Sequence, residues 1–415
     1  MEKIVYPSLE HKYFGEILNI EKAEGIYVFS QGKKYIDAIS GLWNKNLGHG
    51  NRKIQSSILT QMEKLETINP WISTTDVNIN FIDKLLEFTD NRFERGILTC
   101  SGSESLEVAI KLARSHQFRK GEKEKNIIAS FDIGYHGMTY GAWSISGIEK
   151  SFFSPYAPLI SGTAYLPACI NDSAYEVIKK YFKQYGNKTA ALVIEPTIGF
   201  GGVYKISIDY MDKLRKLCID NNVLLIFDEV STGFYRTGSK FAYERYNLTP
   251  DILCLSKGIN NGILPLGAVL FKGNVLDNME DNEVFAHIST QNYNPILSAS
   301  GLATLELYQE KEYEKIVTEL SRTFNSLLLN NLNVYISGFR IDGLFIAIEL
   351  DEKYDDLTEI IFKLKDNGLL TYPFENPYSR GIFLLPMYIT DKRSAEEIIE
   401  IIQNTLKSFG RNKDE

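Results

Sequence analysis

The amino-acid sequence predicts an α/β fold, with a large domain whose mostly parallel central sheet is covered by helices and a smaller α+β domain built from both chain termini. Short apolar runs alternate with segments of helical periodicity through the middle of the chain. Strands that are apolar throughout are typical of parallel sheets covered by helices on both faces. The pattern changes after about residue 305. We therefore expect an N-terminal segment at 1–52 that packs with the small domain, a large domain at 53–305 and a C-terminal small domain at 306–415.

The individual elements follow from apolar periodicity. The helix at 103–119 has the clearest pattern, because its apolar residues follow the i, i+3, i+4, i+7 spacing of one helix face. The other large-domain elements are strands at 127–131, 190–194, 223–227, 252–255 and 266–271 and helices at 172–185 and 209–221. The C-terminal part is expected to contain one long helix at roughly 293–330, strands near 334–350, a helix at 356–367, a strand at 382–385 and a last helix near 393–408.

Composition argues against several classes of protein. The 415 residues carry a formal net charge of −8 with no basic stripe to offset it, so we expect neither a nucleic-acid nor a membrane partner. The four cysteines are scattered singly, which is typical neither of a disulfide framework nor of a metal site. No signal-peptide pattern is present, and no apolar run approaches the roughly 18 residues of a membrane span. We expect a cytoplasmic protein.

Polar residues stand at the ends of three predicted strands, where a parallel sheet presents its ligands. These residues are, in chain order, Glu195, Asp228, Glu229, Ser256 and Lys257. A further stretch, Gly102-Ser103, lies at the start of the first predicted helix. Free N–H groups at a helix start form a cradle for phosphate, and glycine allows the close approach that this requires.

Together these residues predict a site for a phosphate-bearing heteroaromatic molecule with an acid at one end and an amine at the other. Pyridoxal 5′-phosphate fits this description. Asp228 would keep the pyridine nitrogen protonated, and Lys257 would hold the cofactor aldehyde as a Schiff base. Tyr135, in the turn Tyr135-His136-Gly137 after the strand at 127–131, would stack on the pyridine ring.

Each feature also has an ordinary structural interpretation. A glycine–serine turn before a helix is usually an N-cap, and a lysine at a strand end usually reaches to solvent. An Asp-Glu pair at a strand end is usually solvated or capping, and Tyr135 would suit plain core packing. The sequence GFGGVY at 199–204 lacks the lysine and hydroxyl of a P-loop and is interpreted as a turn. The order of the features along the chain, rather than any one of them, favours the cofactor site.

That order resembles the class III, or omega, aminotransferases, a subgroup of the fold-type I pyridoxal-phosphate enzymes, through nearly the whole chain. The segments that carry the resemblance are DAISGLWNKNLGH (37–49), SGSESLEVAIKLAR (101–114), FDIGYHGMTYGA (131–142), IEPTIGFGG (194–202) and LLIFDEVSTGFYRTGSKFAYERYNLTPDILCLSKGI (224–259). The last segment is the most specific, with its aspartate and lysine 29 residues apart.

The resemblance implies a role for each matching residue. Lys257 resembles the Schiff-base lysine, and Asp228 resembles the partner of the pyridine nitrogen. Val230 would pack on the ring face opposite Tyr135. The other implied cofactor-binding residues are Gly102 and Ser103 on the phosphate, His136 and Glu195, while Glu195 and Glu229 also resemble the structural or gating acids of the family.

The resemblance also implies a homodimer. The family takes one phosphate contact from the partner subunit, at a threonine in a His-Gly-x-Thr pattern. The segment HISTQNYNP (287–295) keeps His287 and Thr290 but has Ile288 in place of the glycine. Thr290 is therefore the expected contact across the interface.

The departures from the family pattern concern the substrate. Family members often have an arginine–proline pair whose arginine grips a substrate carboxylate, but here the pair is Tyr372-Pro373, followed by the insertion ENPYSR. Arg380 lies close by in sequence and is a candidate substitute, and Tyr135 and Tyr372 are candidate substrate contacts. Trp43 resembles the family's substrate-side aromatic residue, with a buried core tryptophan as the equal alternative.

The predicted activity is transfer of an amino group between a primary amine or omega-amino compound and an oxo acid or aldehyde, through a Schiff base at Lys257, without a metal. Other fold-type I chemistry is an alternative, namely an aminomutase, epimerase or decarboxylase. A specialised biosynthetic aminotransferase that acts on a large or tethered aldehyde would suit the missing arginine. A non-catalytic relative is disfavoured because Lys257 and Asp228 are both present.

Overall fold

The computed structural model describes residues 4–148, 150–168, 170–277, 279 and 282–411. Within these residues the strands form four sheets. The strands are β1 (Lys22–Glu24), β2 (Tyr27–Ser30), β3 (Lys33–Asp37), β4 (Arg95–Thr99), β5 (Ile127–Phe131), β6 (Thr163–Leu166), β7 (Thr189–Ile194), β8 (Thr197–Ile198), β9 (Tyr204–Lys205), β10 (Leu224–Asp228), β11 (Ile252–Leu255), β12 (Gly267–Phe271), β13 (Gly338–Asp342), β14 (Phe345–Glu349), β15 (Leu369–Leu370), β16 (Tyr372–Glu375) and β17 (Arg380–Leu384).

Helices cover these sheets. They are α1 (Ser40–Trp43), α2 (Arg52–Lys64), α3 (Asp76–Phe88), α4 (Gly102–Arg119), α5 (Tyr140–Ser144), α6 (Asp172–Tyr185), α7 (Ile208–Asp220), α8 (Pro295–Glu310), α9 (Tyr313–Asn331), α10 (Leu357–Asp366) and α11 (Lys392–Arg411). Across the described parts of the chain, no helix combines the length and the apolar character needed to cross a membrane.

The largest sheet has seven strands in the order β4-β12-β11-β10-β7-β5-β6. Strands β11, β10, β7, β5 and β6 run parallel to one another, and β12 runs antiparallel to its neighbours β11 and β4. Every residue of the four central strands β7, β10, β11 and β12 is buried, because helices cover both faces. The predicted mostly parallel central sheet is confirmed.

All five strands expected in the large domain are present, each within one residue of its predicted bounds. Two further strands of the seven-stranded sheet, β4 and β6, were not predicted from the sequence, and neither was the short hairpin of β8 and β9. Strands β4 and β6 form the two edges of the seven-stranded sheet, and both are only partly buried. An edge strand is not covered on all sides, so neither carries the continuous apolar run by which the central strands were identified.

The single long helix expected at roughly 293–330 is wrong. Two helices, α8 and α9, occupy this region, and Lys311 between them has an extended backbone (φ −136°, ψ 157°). The break allows α8 to pack on α2 and α3 of the large domain while α9 packs on α11 of the C-terminal part. Periodicity within each helix could not reveal a change of direction between two amphipathic segments.

Both chain termini contribute to the smaller part of the molecule. Strand β3 from the N-terminal segment pairs in parallel with β15, which gives a four-stranded sheet in the order β1-β2-β3-β15. A second four-stranded sheet, wholly antiparallel, has the order β13-β14-β17-β16.

The antiparallel sheet has one face directed toward the large domain. Its register aligns Arg340, Ala347, Phe383 and Tyr372 in one row across the four strands. Paired residues share a face, and successive residues along a strand alternate between faces. Because the ring of Phe200 lies 6.1 Å from that of Tyr372 and 6.2 Å from that of Phe383, this row faces the large domain.

Candidate active site

The carboxyl ends of three neighbouring parallel strands, β7, β10 and β11, meet at one edge of the seven-stranded sheet. A cavity of about 150 Å³ opens at this edge. The structure brings seven of the predicted site residues to its wall, namely Gly102, Ser103, Tyr135, His136, Asp228, Val230 and Lys257. These residues come from four separate stretches of sequence, so the cavity is a product of the topology.

Asp228, the last residue of β10, is buried at the cavity wall. Its Oδ2 lies 2.8 Å from His136 Nδ1, and its Oδ1 accepts a hydrogen bond from the N–H of Val230 at 3.0 Å. An ionised carboxylate only accepts, so His136 Nδ1 carries the proton of this contact. Asp228 is therefore a carboxylate of fixed orientation.

Lys257 starts a 3₁₀ turn just after β11 and has a left-handed backbone (φ 48°), which is uncommon for a residue with a side chain. Its ammonium donates to Ser231 Oγ at 2.7 Å and lies 4.7 Å from the centre of a Trp43 ring. Burial lowers the pKa of Lys257 to about 8, although the carboxylates of Asp228 and Glu195 oppose the shift. About a tenth of this amine is thus neutral, and nucleophilic, at pH 7, far more than for a lysine with the ordinary pKa.

The start of α4 forms the other end of the cavity. Ser101 caps the helix by accepting from the N–H of Glu104 at 3.1 Å. A Cβ at Gly102 would lie 2.7 Å from a methyl group of Val230, so only glycine allows the backbone to approach the cavity wall so closely. Ser103 Oγ accepts from the N–H of Met138 at 3.3 Å and faces the same cavity. This helix start presents N–H groups and hydroxyls to an anion.

Two buried glutamates lie next to these residues. Glu195 accepts hydrogen bonds from the N–H groups of Tyr135 at 2.9 Å and Gly199 at 3.0 Å, so it supports the turn that carries Tyr135. Burial raises the pKa of Glu195 to about 7, and the nearby Asp228 adds to the increase.

Glu229 follows Asp228 directly but faces away from the cavity. It accepts from the hydroxyl of Thr232 at 3.0 Å and from the N–H groups of Ala242 and Tyr243, both at 2.7 Å. Burial raises the pKa of Glu229 to about 7. These contacts show that Glu229 braces the segment between β10 and β11.

An aromatic wall flanks the cavity on the side of Lys257. It consists of Trp43, Tyr135, Phe200, Phe345, Tyr372 and Phe383. Trp43 is buried, with its ring centre 5.0 Å from that of Phe345 and 5.2 Å from that of Phe383. The two interpretations of Trp43 are therefore compatible, because the same ring belongs to an apolar cluster and lies beside Lys257.

The structure places Arg380 away from this wall. Arg380 and Phe383 are three residues apart on β17, so their side chains leave opposite faces of the strand. The guanidinium of Arg380 donates to the carbonyl oxygen of Asp355 at 2.9 Å and lies 3.5 Å from a carboxylate oxygen of Glu375. Tyr372, in contrast, shares the face of Phe383 and lies within the aromatic wall.

Thr290 is exposed and does not line the cavity of its own chain. Its loop is tied to the start of α4, since His287 Nε2 and Asn292 Nδ2 each lie 3.0 Å from Glu104 Oε1. Burial alone would raise the pKa of Glu104, but hydrogen bonds from His287, Asn292 and the Cys100 N–H lower it to about 2.

The residues at the cavity fit pyridoxal phosphate. A phosphate can approach the backbone closely at Gly102, which has no side chain, and can bind the N–H groups at the helix start and the hydroxyl of Ser103. The amine of Lys257 can react with an aldehyde, and the carboxylate of Asp228 can pair with a protonated ring nitrogen. Among the described residues, no cluster of His, Cys, Asp and Glu is suitable for a metal ion.

Sequence reasoning missed several residues at the site, including Phe345 and Phe383 of the aromatic wall, and two of the missed residues are instructive. Ser231, the hydrogen-bond partner of Lys257, lies three residues after Asp228 in the most specific segment, where its position just past a strand end was a usable signal. Phe200 lies in the sequence GFGGVY, which forms a turn as expected but also carries this ring into the aromatic wall.

Comparisons with known proteins agree with this geometry. A family model described as aminotransferase class-III matches residues 9–406. An omega-aminotransferase from Caulobacter vibrioides is 30% identical over 416 residues, which cover 93% of this chain and 93% of the relative. An acetylornithine aminotransferase from Aquifex aeolicus is 32% identical over 396 residues, which cover 93% of this chain and 96% of the relative.

The fold agrees as well. A solved structure of a transaminase from the marine bacterium Virgibacillus matches with a TM-score of 0.94 over 99% of this chain and 98% of that chain. The sequence identity is 23%, so this match bears on the fold alone. The matched fold is the one that the sequence predicts, in which a mostly parallel sheet carries the site at its carboxyl edge.

Proposed function

The chain belongs to the class III aminotransferases, and from this premise we propose how its own residues divide the pyridoxal-phosphate-dependent transfer of an amino group. The observation that carries the proposal is that Lys257 and Asp228 line one cavity at the carboxyl edge of the parallel sheet. This chemistry requires two groups of the protein, namely an amine that can lose its proton near neutral pH and a carboxylate of fixed orientation.

When bound, the cofactor supplies an aldehyde for amines and an electron-withdrawing ring. Asp228, oriented by His136, keeps a proton on the ring nitrogen. Gly102 and Ser103 bind the phosphate, and Tyr135 and Val230 confine the ring. In the donor half-reaction Lys257 Nζ would take the proton from the amine-bearing carbon of the donor and pass it to the aldehyde-derived carbon of the bound cofactor, and in the acceptor half-reaction it would carry a proton in the opposite direction. Ser231 accepts a hydrogen bond from this amine while it is free.

The aromatic wall supports a primary amine with an apolar side chain, or an omega-amino compound, as the donor. Both arginines of the antiparallel sheet are engaged, Arg340 with Glu349 and Arg380 with Glu375, so neither offers a free guanidinium to a substrate carboxylate. An oxo acid or aldehyde is the acceptor. A large or tethered aldehyde is the second candidate, because it also needs no carboxylate clamp.

A donor–acceptor panel tests this proposal. Holoenzyme is mixed with single amines, and loss of the visible absorbance of the lysine-bound cofactor reports the first half-reaction. Addition of pyruvate, 2-oxoglutarate or an aldehyde should then restore the absorbance and release an aminated product. Multiple turnovers of an amine without any acceptor, beyond the one equivalent that the first half-reaction consumes, would instead indicate an epimerase, aminomutase or decarboxylase and would overturn the proposal.

We further propose a homodimer in which Thr290 reaches the phosphate of the partner's site. An apolar surface surrounds the loop of Thr290, with Trp71 81%, Val284 83% and Ile288 60% exposed. These three residues line a groove of about 820 Å³. Apolar patches of this kind mark interfaces, and a second copy would also bring Thr290 to a cofactor site that its own chain does not let it reach.

Active-site complementation tests the dimer. Lys257→Ala removes the essential amine, and Thr290→Glu places a charge that repels phosphate, so each homodimer should be inactive or nearly so. A mixed dimer contains one site with both groups intact and should recover about half of the wild-type activity, as two-fold symmetry requires. Co-expressed subunits with different tags supply the mixed dimer. A monomer by light scattering, or a mixed dimer without recovery, would contradict the proposal.

The division of the chain at residues 52 and 305 remains part of the proposal, supported by the pairing of β3 with β15. A cytoplasmic location also stays a prediction. It is compatible with the free state of Cys100, Cys218 and Cys254 among the described cysteines.

A further inference from the structure

The turn at 199–204 joins β8 to β9 and contacts the small domain on one side and the aromatic wall on the other. We propose that Arg340, Asn376 and Ser379, here called the polar clamp, fix this turn so that Phe200 sets the width of the substrate pocket beside Lys257. This inference rests on the proposed function, since it concerns the amine that the same site accepts.

The polar clamp holds the turn by direct hydrogen bonds. Arg340 Nε donates to the carbonyl oxygen of Gly202 at 2.5 Å, and Asn376 Nδ2 donates to that of Gly201 at 2.9 Å. The hydroxyl of Tyr204 lies 2.9 Å from Ser379 Oγ. Three residues of the turn, Gly201, Gly202 and Tyr204, are therefore attached to the small domain.

Arg340 is committed to this role. Its Nη2 donates to Ser379 Oγ at 3.0 Å, its Nη1 pairs with Glu349, and its guanidinium lies 4.0 Å from the ring centre of Tyr204. Each of the three guanidinium nitrogens therefore has a hydrogen-bond partner, which is Gly202, Ser379 or Glu349. Asn376 and Ser379 belong to the insertion ENPYSR, so this insertion completes the clamp.

The backbone of the turn leaves little freedom for any other arrangement. A Cβ at Gly199 would lie 2.7 Å from the ring of Phe345, and a Cβ at Gly201 would collide with the carbonyl oxygen of Ile133. Gly202 has a φ of +107°, which favours glycine. The backbone of the turn is therefore closely packed between Phe345 and Ile133, and Phe200 is the side chain of the turn that lies in the aromatic wall.

Phe200 occupies the centre of that wall. Its ring centre lies 5.1 Å from that of Tyr135, 5.8 Å from that of Trp43, 6.1 Å from that of Tyr372 and 6.2 Å from that of Phe383. Tyr135 lines the cofactor cavity, and Trp43 lies against Lys257. A displacement of Phe200 would therefore change the space available to the side chain of the amine.

Two variants test the proposal against a matched control. Asn376→Asp with Ser379→Ala removes the donor to Gly201 and the partner of Tyr204, yet keeps the Asn376 oxygen that accepts from the N–H groups of Tyr378 and Ser379. Phe200→Ala opens the pocket directly. The control is Arg380→Ala, which removes a glutamate-paired arginine from the opposite face of the same sheet.

The first measurement is the half-reaction rate of each holoenzyme with butylamine and with 4-phenylbutylamine, followed by the visible absorbance. The ratio of the bulky to the small amine should rise at least about 5-fold in both test variants and change less than about 2-fold in the control. An unchanged ratio in the double variant, with a raised ratio in Phe200→Ala, would overturn the role of the clamp.

The second measurement does not depend on turnover. The N–H groups of Gly202 and Val203 bond to the carbonyl oxygen of Gly199 at 3.0 and 3.1 Å, and hydrogen–deuterium exchange of the peptide 197–206 reports on them. Exchange should be faster in the double variant and unchanged in Arg380→Ala. An exchange rate in the double variant equal to that of the wild type would overturn the role of the clamp. If the wild-type enzyme converts neither amine, the proposed donor class is contradicted, and the exchange rate still tests the clamp separately.

Discussion

The cofactor edge of the seven-stranded sheet and the aromatic wall differ in how they are assembled. At the cofactor edge, Asp228 and Lys257 stand at or just after strands whose apolar runs are visible in the sequence. The aromatic wall combines single rings from the N-terminal segment, two large-domain turns and the antiparallel sheet. The comparison teaches that strand ends place the groups for the cofactor, whereas packing between distant segments places the groups for the substrate.

The largest expected effect lies at the cofactor edge. Lys257→Ala removes the only amine on the described wall of the cavity, so transamination should fall below detection and the visible absorbance of the lysine-bound cofactor should be absent. Spectra and donor–acceptor assays of the purified variant measure both. A folded variant that retains turnover would break the distinction between the two regions.

Asp228→Asn should lower the rate by about 100- to 1,000-fold, because a neutral amide no longer stabilises positive charge on the ring nitrogen. The cofactor should still attach to Lys257, so the visible absorbance persists. A double-mutant cycle with His136→Phe provides the check, since His136 acts through Asp228 and the two losses should be far from additive. Additive losses would argue against a shared role.

The pH dependence of cofactor capture should report the pKa of about 8 of Lys257. Below that value each pH unit lowers the neutral fraction, and with it the rate of recapture by cofactor-free protein, about tenfold. Because folding lowers this pKa from 10.5, the charged amine favours the unfolded state below about pH 8, and this destabilisation is lost as the pH rises from about 8 to 10.5. Stopped-flow absorbance from pH 6 to 10, with N-acetyl-lysine methyl ester as the free-amine control, measures the rate, and a midpoint near 10.5 would contradict the prediction.

A change in the aromatic wall should act on the substrate rather than on the cofactor. Trp43→Phe shortens the ring beside Lys257 and should alter the preference between butylamine and 4-phenylbutylamine on the order of 10-fold or less. Trp43 Nε1 is buried without a protein acceptor, so its loss removes an unsatisfied donor and limits the cost in stability. An altered cofactor spectrum in this variant would contradict the assignment of separate roles to the cofactor edge and the aromatic wall.

The smallest effect on rate is expected at Glu229, next to Asp228 in the chain. Glu229→Gln should change turnover less than about 2-fold but lower the free energy of unfolding by about 1–3 kcal/mol. The reason is that the carboxylate accepts hydrogen bonds with both oxygens, whereas the NH₂ group of glutamine would face an N–H donor and leave it without an acceptor. Denaturant unfolding and steady-state assays measure the two quantities. A large loss of activity with unchanged stability would assign Glu229 to the chemistry instead.

Periodicity was sufficient for the central strands and insufficient at the margins of the fold. The strand expected at 252–255 has those bounds, whereas the edge strands β4 and β6 were missed and α8 and α9 were merged into one helix. A strand that is buried on both faces consists of apolar residues, so its composition identifies it. Edge strands and changes of helix direction depend on the elements that pack against them, which the local sequence does not show.

The candidate site shows the same limit. Asp228, Lys257 and the start of α4 were located from sequence because each stands at the end of a regular element. Arg380 was judged by its distance along the chain from Tyr372, and the structure separates the two by the face of the sheet from which each side chain leaves. Phe200 could not be distinguished from an ordinary turn residue until the insertion at 375–380 was seen to hold its turn.

The sequence by itself determined the class of chemistry, because a lysine and an aspartate after buried parallel strands must arrive at the same sheet edge whatever else the chain does. Only the tertiary structure decided which rings and which arginines face that edge. Side-chain direction on the antiparallel sheet follows strand register, and register follows from contacts between residues far apart in sequence, such as the alignment of Arg340 with Tyr372 across four strands.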